Sequence, residues 1–151
     1  MIFTVLDEAC TPMIATEFSA GIDLKASGLT TLRAKDVTII KLGVKINLDY
    51  LRELKLTRKQ VKSLYISLHI RSSLSVKYGL IQANGVGIID IDYPDELGLI
   101  VYNPTNNNIN IEKGERVAQA IVTSTKHNQL LLNKIYGTTT KRVGGYGSTN
   151  K

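Results

Sequence analysis

Disulfides, a multi-cysteine zinc site and a membrane-spanning helix are all missing from this chain of 151 residues. Cys10 is the only cysteine, so no internal disulfide framework and no cysteine-based zinc site can form. His69 and His127 are the only histidines, and neither sits in a motif that would support a Ser-His-Asp arrangement. Both are read as structural or surface residues. No apolar run approaches the roughly 20 residues that a bilayer demands. The start, MIFTVLDEAC, lacks a basic stretch followed by a long apolar one, so no signal peptide is expected. No internal repeat is visible. What is present is a hydrophobic content of 43%, enough for one soluble domain with a real core. The expected location is the cytoplasm, that of the host if the chain is viral, with no membrane partner.

The formal charge of +6 is unevenly spread. Between positions 51 and 77 stand Arg52, Lys55, Arg58, Lys59, Lys62, Arg71 and Lys77, opposed by Glu53 alone; the rest of the chain is about neutral. A local positive field points to a phosphate-bearing partner, and charge alone leaves nucleotide and nucleic acid both open.

Short segments rich in Ile, Val, Leu and Thr read as strands: 2–6, 21–26, 37–47, 64–70, 86–92, 97–103 and 116–122. Their number and punctuation argue for an all-β sandwich or jelly roll. The stretch 50–65 does not alternate as cleanly. Thr57 followed by Gln60 fits a helix capping box, so one or two helical turns are expected in this basic insertion. In VGIIDIDYPDE (86–96), Ile88, Asp90 and Asp92 fall on one strand face and Ile89, Ile91 and Tyr93 on the other. The Tyr-Pro-Asp-Glu that follows reads as a turn, with 97–103 returning as the second strand of a hairpin.

Other residues suit a nucleoside triphosphate. Arg71 beside Ser72 offers a charged fork and a hydroxyl for phosphate oxygens. Gln119 lies among apolar strand residues, where an amide needs a specific partner. Gly85 and Gly87 loosen the backbone before Asp90. Gly144, Gly145 and Gly147 flank Tyr146 in the tail, where glycine lets backbone N–H groups approach an anion and an aromatic ring can lie on a base. The tail has few large apolar side chains and would not order by itself. The chain therefore divides into a β domain, 1–136, and a glycine-rich terminal segment, 137–151.

Five stretches occur in series: AGIDLKA (20–26), RSSLSVKYG (71–79), NGVGIIDIDY (84–93), GERVAQAI (114–121) and RVGGYGSTN (142–150). In order, spacing and content the series resembles the trimeric dUTPase family, the dUTP pyrophosphatases. The resemblance implies a jelly-roll-like all-β fold, a homotrimer and hydrolysis of dUTP to dUMP and pyrophosphate, which keeps uracil out of DNA. It makes Asp90 the aspartate that orients and activates the attacking water. Tyr93 becomes the aromatic that packs on deoxyribose and excludes a 2′-OH, and Asn84 and Gly87 belong to the uracil pocket. Arg71, Ser72, Ser73 and Gln119 fall on phosphate-binding positions. Asp23 becomes a carboxylate that holds Mg²⁺ through water. Gly145, Tyr146 and Gly147 become the part of the tail that covers the base, with tyrosine where the family usually has phenylalanine. Asp92 remains structural. Lys77 and Arg116 are left open between phosphate contacts, subunit contacts and surface charge.

The chain departs from the family at two places. Ser73 stands where glycine is usual. At the last motif, Lys141 occupies the usual arginine position and Arg142 the usual glycine position, so either can be the phosphate contact. Two other functions compete with the pyrophosphatase. A dCTP deaminase of related fold would need a glutamate beside its water and has no use for the GGYGST tail. A regulatory protein of this fold would act through protein or DNA contacts, and the basic residues at 52–62 are the feature that supports it; a solvated face is the reading preferred for them.

Overall fold

The computed structural model describes residues 1–125, and their alternating apolar pattern emerges as eleven short strands with three short α-helices and one 3-10 turn, Glu8–Cys10. The strands are β1 (Phe3–Val5), β2 (Ile22–Lys25), β3 (Thr30–Leu32), β4 (Val37–Lys41), β5 (Val44–Ile46), β6 (Leu64–Ile70), β7 (Ile81–Gln82), β8 (Gly87–Asp90), β9 (Gly98–Tyr102), β10 (Ile109–Ile111) and β11 (Arg116–Ser124). The helices are α1 (Leu48–Glu53), α2 (Arg58–Lys62) and α3 (Ser72–Tyr78). Every strand pair is antiparallel. The order β2-β11-β6-β8 forms a four-stranded sheet and β4-β9-β7 a three-stranded one, with β1-β5 and β10-β3 as two-stranded pairs. This is the all-β class expected.

One core joins the sheets. Leu24 of β2, Ile66 and Leu68 of β6, Ala118 and Ala120 of β11, Ile40 of β4, and Leu99 and Val101 of β9 are buried together. Period-2 alternation explains the choice. In β6, Leu64, Ile66, Leu68 and Ile70 join the core, which leaves Tyr65, Ser67 and His69 on the other face. Fully burying one such aliphatic side chain contributes roughly 1.5–3 kcal/mol.

The long segment 37–47 is two strands because Gly43 turns the chain between them at φ +63°. A Cβ there would also lie 2.6 Å from both Cβ and Sγ of Cys10, so both conformation and space call for glycine. Cys10 is fully buried, and burial pushes its thiol up from the ordinary value.

Two expectations change, and one helix appears where no element was assigned. Residues 86–92 and 97–103 do not form a hairpin: β8 pairs with β6, and β9 pairs with β4 and β7. The turn after Tyr93 carries the chain from one sheet to another, so adjacency in sequence misled. The insertion is more helical than expected, with six residues in α1 and five in α2. The capping box forms, Gln60 N donating to Thr57 Oγ1 at 3.2 Å and Thr57 N to Gln60 Oε1 at 2.9 Å. The motif after Arg71 is a helix that ends at Gly79, φ +69°. Ser73 lies within it and is not among the non-glycine residues with positive φ, so serine needs no strained backbone there. Among the described residues, no helix is long and apolar enough to cross a membrane.

Candidate functional site

The four-stranded sheet collects the first group of residues. Gln119 on β11 stands in register with Asp23 on β2 and with His69 on β6, so the three form a row across one face. Gly21 lets β2 approach Gln119 this closely: a Cβ there would lie 2.5 Å from Gln119 Cγ. His69 is tied to Ser67, with Nε2 and Oγ 2.6 Å apart.

Asp23 is only 2% exposed, yet it sits between two arginines. Arg116 Nη1 donates to Oδ2 at 3.1 Å, and Arg71 Nε lies 3.4 Å from Oδ1. Oδ1 is buried and accepts no hydrogen bond among the described residues. A buried carboxylate oxygen without a donor has an incentive to acquire one. Arg71 is held from its backbone as well: its N–H donates to Val117 O at 3.0 Å, and it caps the start of α3. Its side chain is 26% exposed. With Nε turned to Asp23, the terminal guanidinium nitrogens are the donors left for an anion. Ser72 and Ser73 follow at the start of α3, both exposed.

The second group surrounds a cavity of about 130 Å³. Asn84, Gly87 and Tyr93 line it, together with Leu68, Gln82 and Ile100. The space suits one small ring rather than a whole drug-sized ligand, for which roughly 300–1,000 Å³ is usual. Gln82 opens the turn on this side, its carbonyl accepting from Gly85 N at 3.1 Å, and Gly85 takes φ +67°. Tyr93 is buried at 7% exposure. Asp90 ends β8 opposite Tyr65 on β6, and its carbonyl accepts from Tyr93 N at 3.0 Å. The expected alternation is visible here: Ile88, Asp90 and Asp92 are exposed, while Ile91 and Tyr93 are buried.

The two groups lie at opposite edges of the sheet. Asp23 is on β2 and Asp90 on β8, three strand spacings apart in the order β2-β11-β6-β8. Along the strands, Asp23 aligns with Gln119 and Asp90, through Tyr65, with Thr123. Spacings of about 4.8 Å across strands and 3.3 Å per residue along them give roughly 20 Å between the two aspartates. The site residues expected from sequence thus form two clusters within one chain. Lys141, Arg142, Gly145, Tyr146 and Gly147 lie outside the described residues, as does His127.

Gln82 was not singled out from the sequence as part of a site, and Arg116 was left open between phosphate, subunit and surface roles, without a link to Asp23. Gln82 carries the same signal as Gln119, an amide in an apolar strand context. Arg116 has no such signal; its role depends on β2 and β11 pairing across 93 positions. Among the described residues, no group of three His, Cys, Asp or Glu side chains could hold a metal ion.

Comparison with known proteins points to one family. The family model described as dUTPase matches residues 7–150. A deoxyuridine 5′-triphosphate nucleotidohydrolase of Rickettsia akari is 36% identical over 142 residues, covering 91% of this chain and 86% of that one. The protein of the same name from Aeromonas hydrophila is 31% identical over 142 residues, covering 93% and 86%. Among solved structures, the dUTPase of Streptococcus mutans has a TM-score of 0.69 at 28% identity, over 81% of this chain and 94% of that one.

Proposed function

This chain belongs to the dUTPase family and hydrolyses dUTP to dUMP, and we propose that water, oriented by Asp90, attacks the α-phosphorus in line and expels pyrophosphate. One water is consumed; its oxygen joins dUMP, and the P–O bond to the β-phosphate breaks. The reading rests above all on the cavity that brings Asn84, Gly87 and Tyr93 together three to six residues from Asp90 along the chain. Uracil occupies the cavity, deoxyribose packs on Tyr93, and Asp90 at the end of a strand stands where sugar meets phosphate. A carboxylate held on a rigid element is positioned for proton acceptance from water.

Arg71 and Gln119, with Ser72 and Ser73, hold the phosphate chain. Phosphoryl transfer depends mainly on such positioning and charge stabilisation. The residues also fit Mg²⁺. Asp23 Oδ1 is a buried acceptor without a donor, and the lack of a three-ligand cluster among the described residues suits an ion held chiefly by phosphate oxygens and waters. Asp23 would hold one of those waters. When bound, the ion neutralises charge on the phosphate oxygens. The segment 137–151 closes over the nucleotide with Tyr146 on the base, and Lys141 or Arg142 reaches the phosphates.

The separation of roughly 20 Å supports a homotrimer with shared sites. A triphosphate is only a few bonds long, so Arg71 and Asp90 of one chain cannot serve one substrate molecule. The phosphate cluster of one subunit therefore works with the cavity and Asp90 of another.

A pyrophosphate-release assay with a nucleotide panel and Mg²⁺ tests the reading. The kcat/KM for dUTP is expected to exceed that for UTP by at least about 10²-fold, because Tyr93 leaves no room for the 2′-OH. Comparable values for the two would remove Tyr93 from this role. Light scattering on the active protein is expected to give three chains; a monomer mass would defeat the shared site.

The basic insertion is outside this machinery. No residue of α2 is buried, and Arg52 is paired with Asp49 at 2.7 Å. Replacing Arg52, Lys55, Arg58, Lys59 and Lys62 together with glutamine is expected to leave dUTP turnover within about threefold, as surface changes remote from a site do. A larger loss would place the insertion at the active site.

A further inference from the structure

Gln82 has a structural position that the reaction described above does not use. Its backbone belongs to β7 and pairs with Val101 of β9, in the three-stranded sheet. Its side chain belongs to the other sheet. Nε2 donates to Leu68 O at 2.9 Å, and Oε1 accepts from Ile70 N at 2.8 Å, both on β6. The two backbone groups are of opposite kind, so the amide has one orientation only. The register of β6 with β8 ends at Leu68↔Gly87. The side chain of Gln82 therefore continues the ladder by one peptide-like group where the neighbouring strand stops.

This stitch lies at the cavity. Gln82 lines it and is only 7% exposed. Its carbonyl opens the turn that carries Asn84, and its Nε2 would lie 3.6 Å from a Cβ built on Gly87. Asn84 and Gly87, both lining the cavity, are thus both referenced to β6 through one amide. Gly87 has little slack of its own, since a Cβ there would lie 3.1 Å from Leu68 Cβ.

We infer that Gln82 is a specificity-determining positioning residue: by fastening the Asn84 turn to β6 it sets the width of the base cavity, and so excludes a pyrimidine carrying a 5-methyl group. The inference rests on the cavity being the uracil site. A fixed wall rejects an extra methyl by overlap, whereas a wall free to move accommodates it. Discrimination of one methyl group in a tight apolar pocket is worth about 10–200-fold. In the proposed function Tyr93 rejects the 2′-OH, so selectivity against UTP serves as the control for Gln82.

The test compares kcat/KM for dUTP, dTTP and UTP in the parent and in Gln82→Met, which keeps volume but forms neither hydrogen bond. The dUTP/dTTP ratio is expected to fall at least about tenfold, with the change mainly in KM, while the dUTP/UTP ratio stays within about threefold. General destabilisation would lower all three rates together and leave both ratios in place, which would overturn the inference. An unchanged dUTP/dTTP ratio would do the same. Should Gln82→Met fail to fold, Gln82→Asn carries the same comparison, since an amide one methylene shorter stays polar but cannot reach both Leu68 O and Ile70 N. A parent enzyme that does not prefer dUTP to dTTP would instead sink the assignment of the cavity to uracil, a result separable from the behaviour of the variants.

Discussion

Asp90→Asn is expected to lower kcat for dUTP by about 10³-fold and to leave nucleotide affinity within about tenfold of the parent. The substitution preserves shape, and it keeps the backbone contacts at the end of β8: the Asp90 carbonyl accepts from Tyr93 N, and its register partner is Tyr65. An amide can still hydrogen-bond a water, but it cannot accept the proton that the water must lose. The loss should fall on kcat rather than KM, since the interaction removed is made in the transition state. Single-turnover hydrolysis together with binding of a non-hydrolysable dUTP analogue separates the two quantities. Turnover near that of the parent would take Asp90 out of the reaction.

Asp23→Asn is expected to lower kcat/KM by about 10²-fold, or about 2.7 kcal/mol of transition-state stabilisation. Asp23 faces nitrogen donors on both sides, Arg116 at 3.1 Å and Arg71 at 3.4 Å. An amide in its place must turn its own NH₂ toward one of them, donor against donor. Arg71 would then lose the contact that aims its guanidinium, and a metal-bound water would lose its acceptor. Stability should suffer less, by about 1–2 kcal/mol, because both arginine side chains are partly exposed and can turn to water. Activity falling further than thermal stability is the expected signature, read from kcat/KM beside the melting temperature. A variant with parental kcat/KM would reduce Asp23 to a packing residue.

Much of the β framework was legible because alternation is a local property. The strand 64–70 carries its apolar face at every second residue and appears with those bounds. The capping box at Thr57 was equally readable, since both of its hydrogen bonds lie within four residues. What escaped depends on distance or brevity. Strands β3, β7 and β10 have only two or three residues each, too few for a period to register. Helix α3 starts at Arg71 with no side-chain cap, and its serines give no helical stripe. The hairpin after Asp90 failed because strands adjacent in sequence usually pair; here burial of Leu97 and Leu99 in the shared core takes 97–103 to the other sheet. The site followed the same rule. Single residues with unusual chemistry for their surroundings, such as Gln119, Asp23 and Asp90, stood out. Their grouping into two clusters did not, because the sheet order β2-β11-β6-β8 is written nowhere locally.

That sheet order also governs when the enzyme can come into being during synthesis. β11 is the last strand of the described chain, yet it sits between β2 and β6, two strands made much earlier. Until residues 116–124 leave the ribosome, β2 has no neighbour in this sheet and β6 has one open edge. Asp23 then lacks Arg116, and the core lacks Val117, Ala118 and Ala120. Such long-range closure is slow compared with local pairing and leaves an apolar intermediate exposed meanwhile. A nascent chain halted just short of β11 would be a half-built sheet that has already exposed its hydrophobic strands, and chaperone demand should peak at that point of translation.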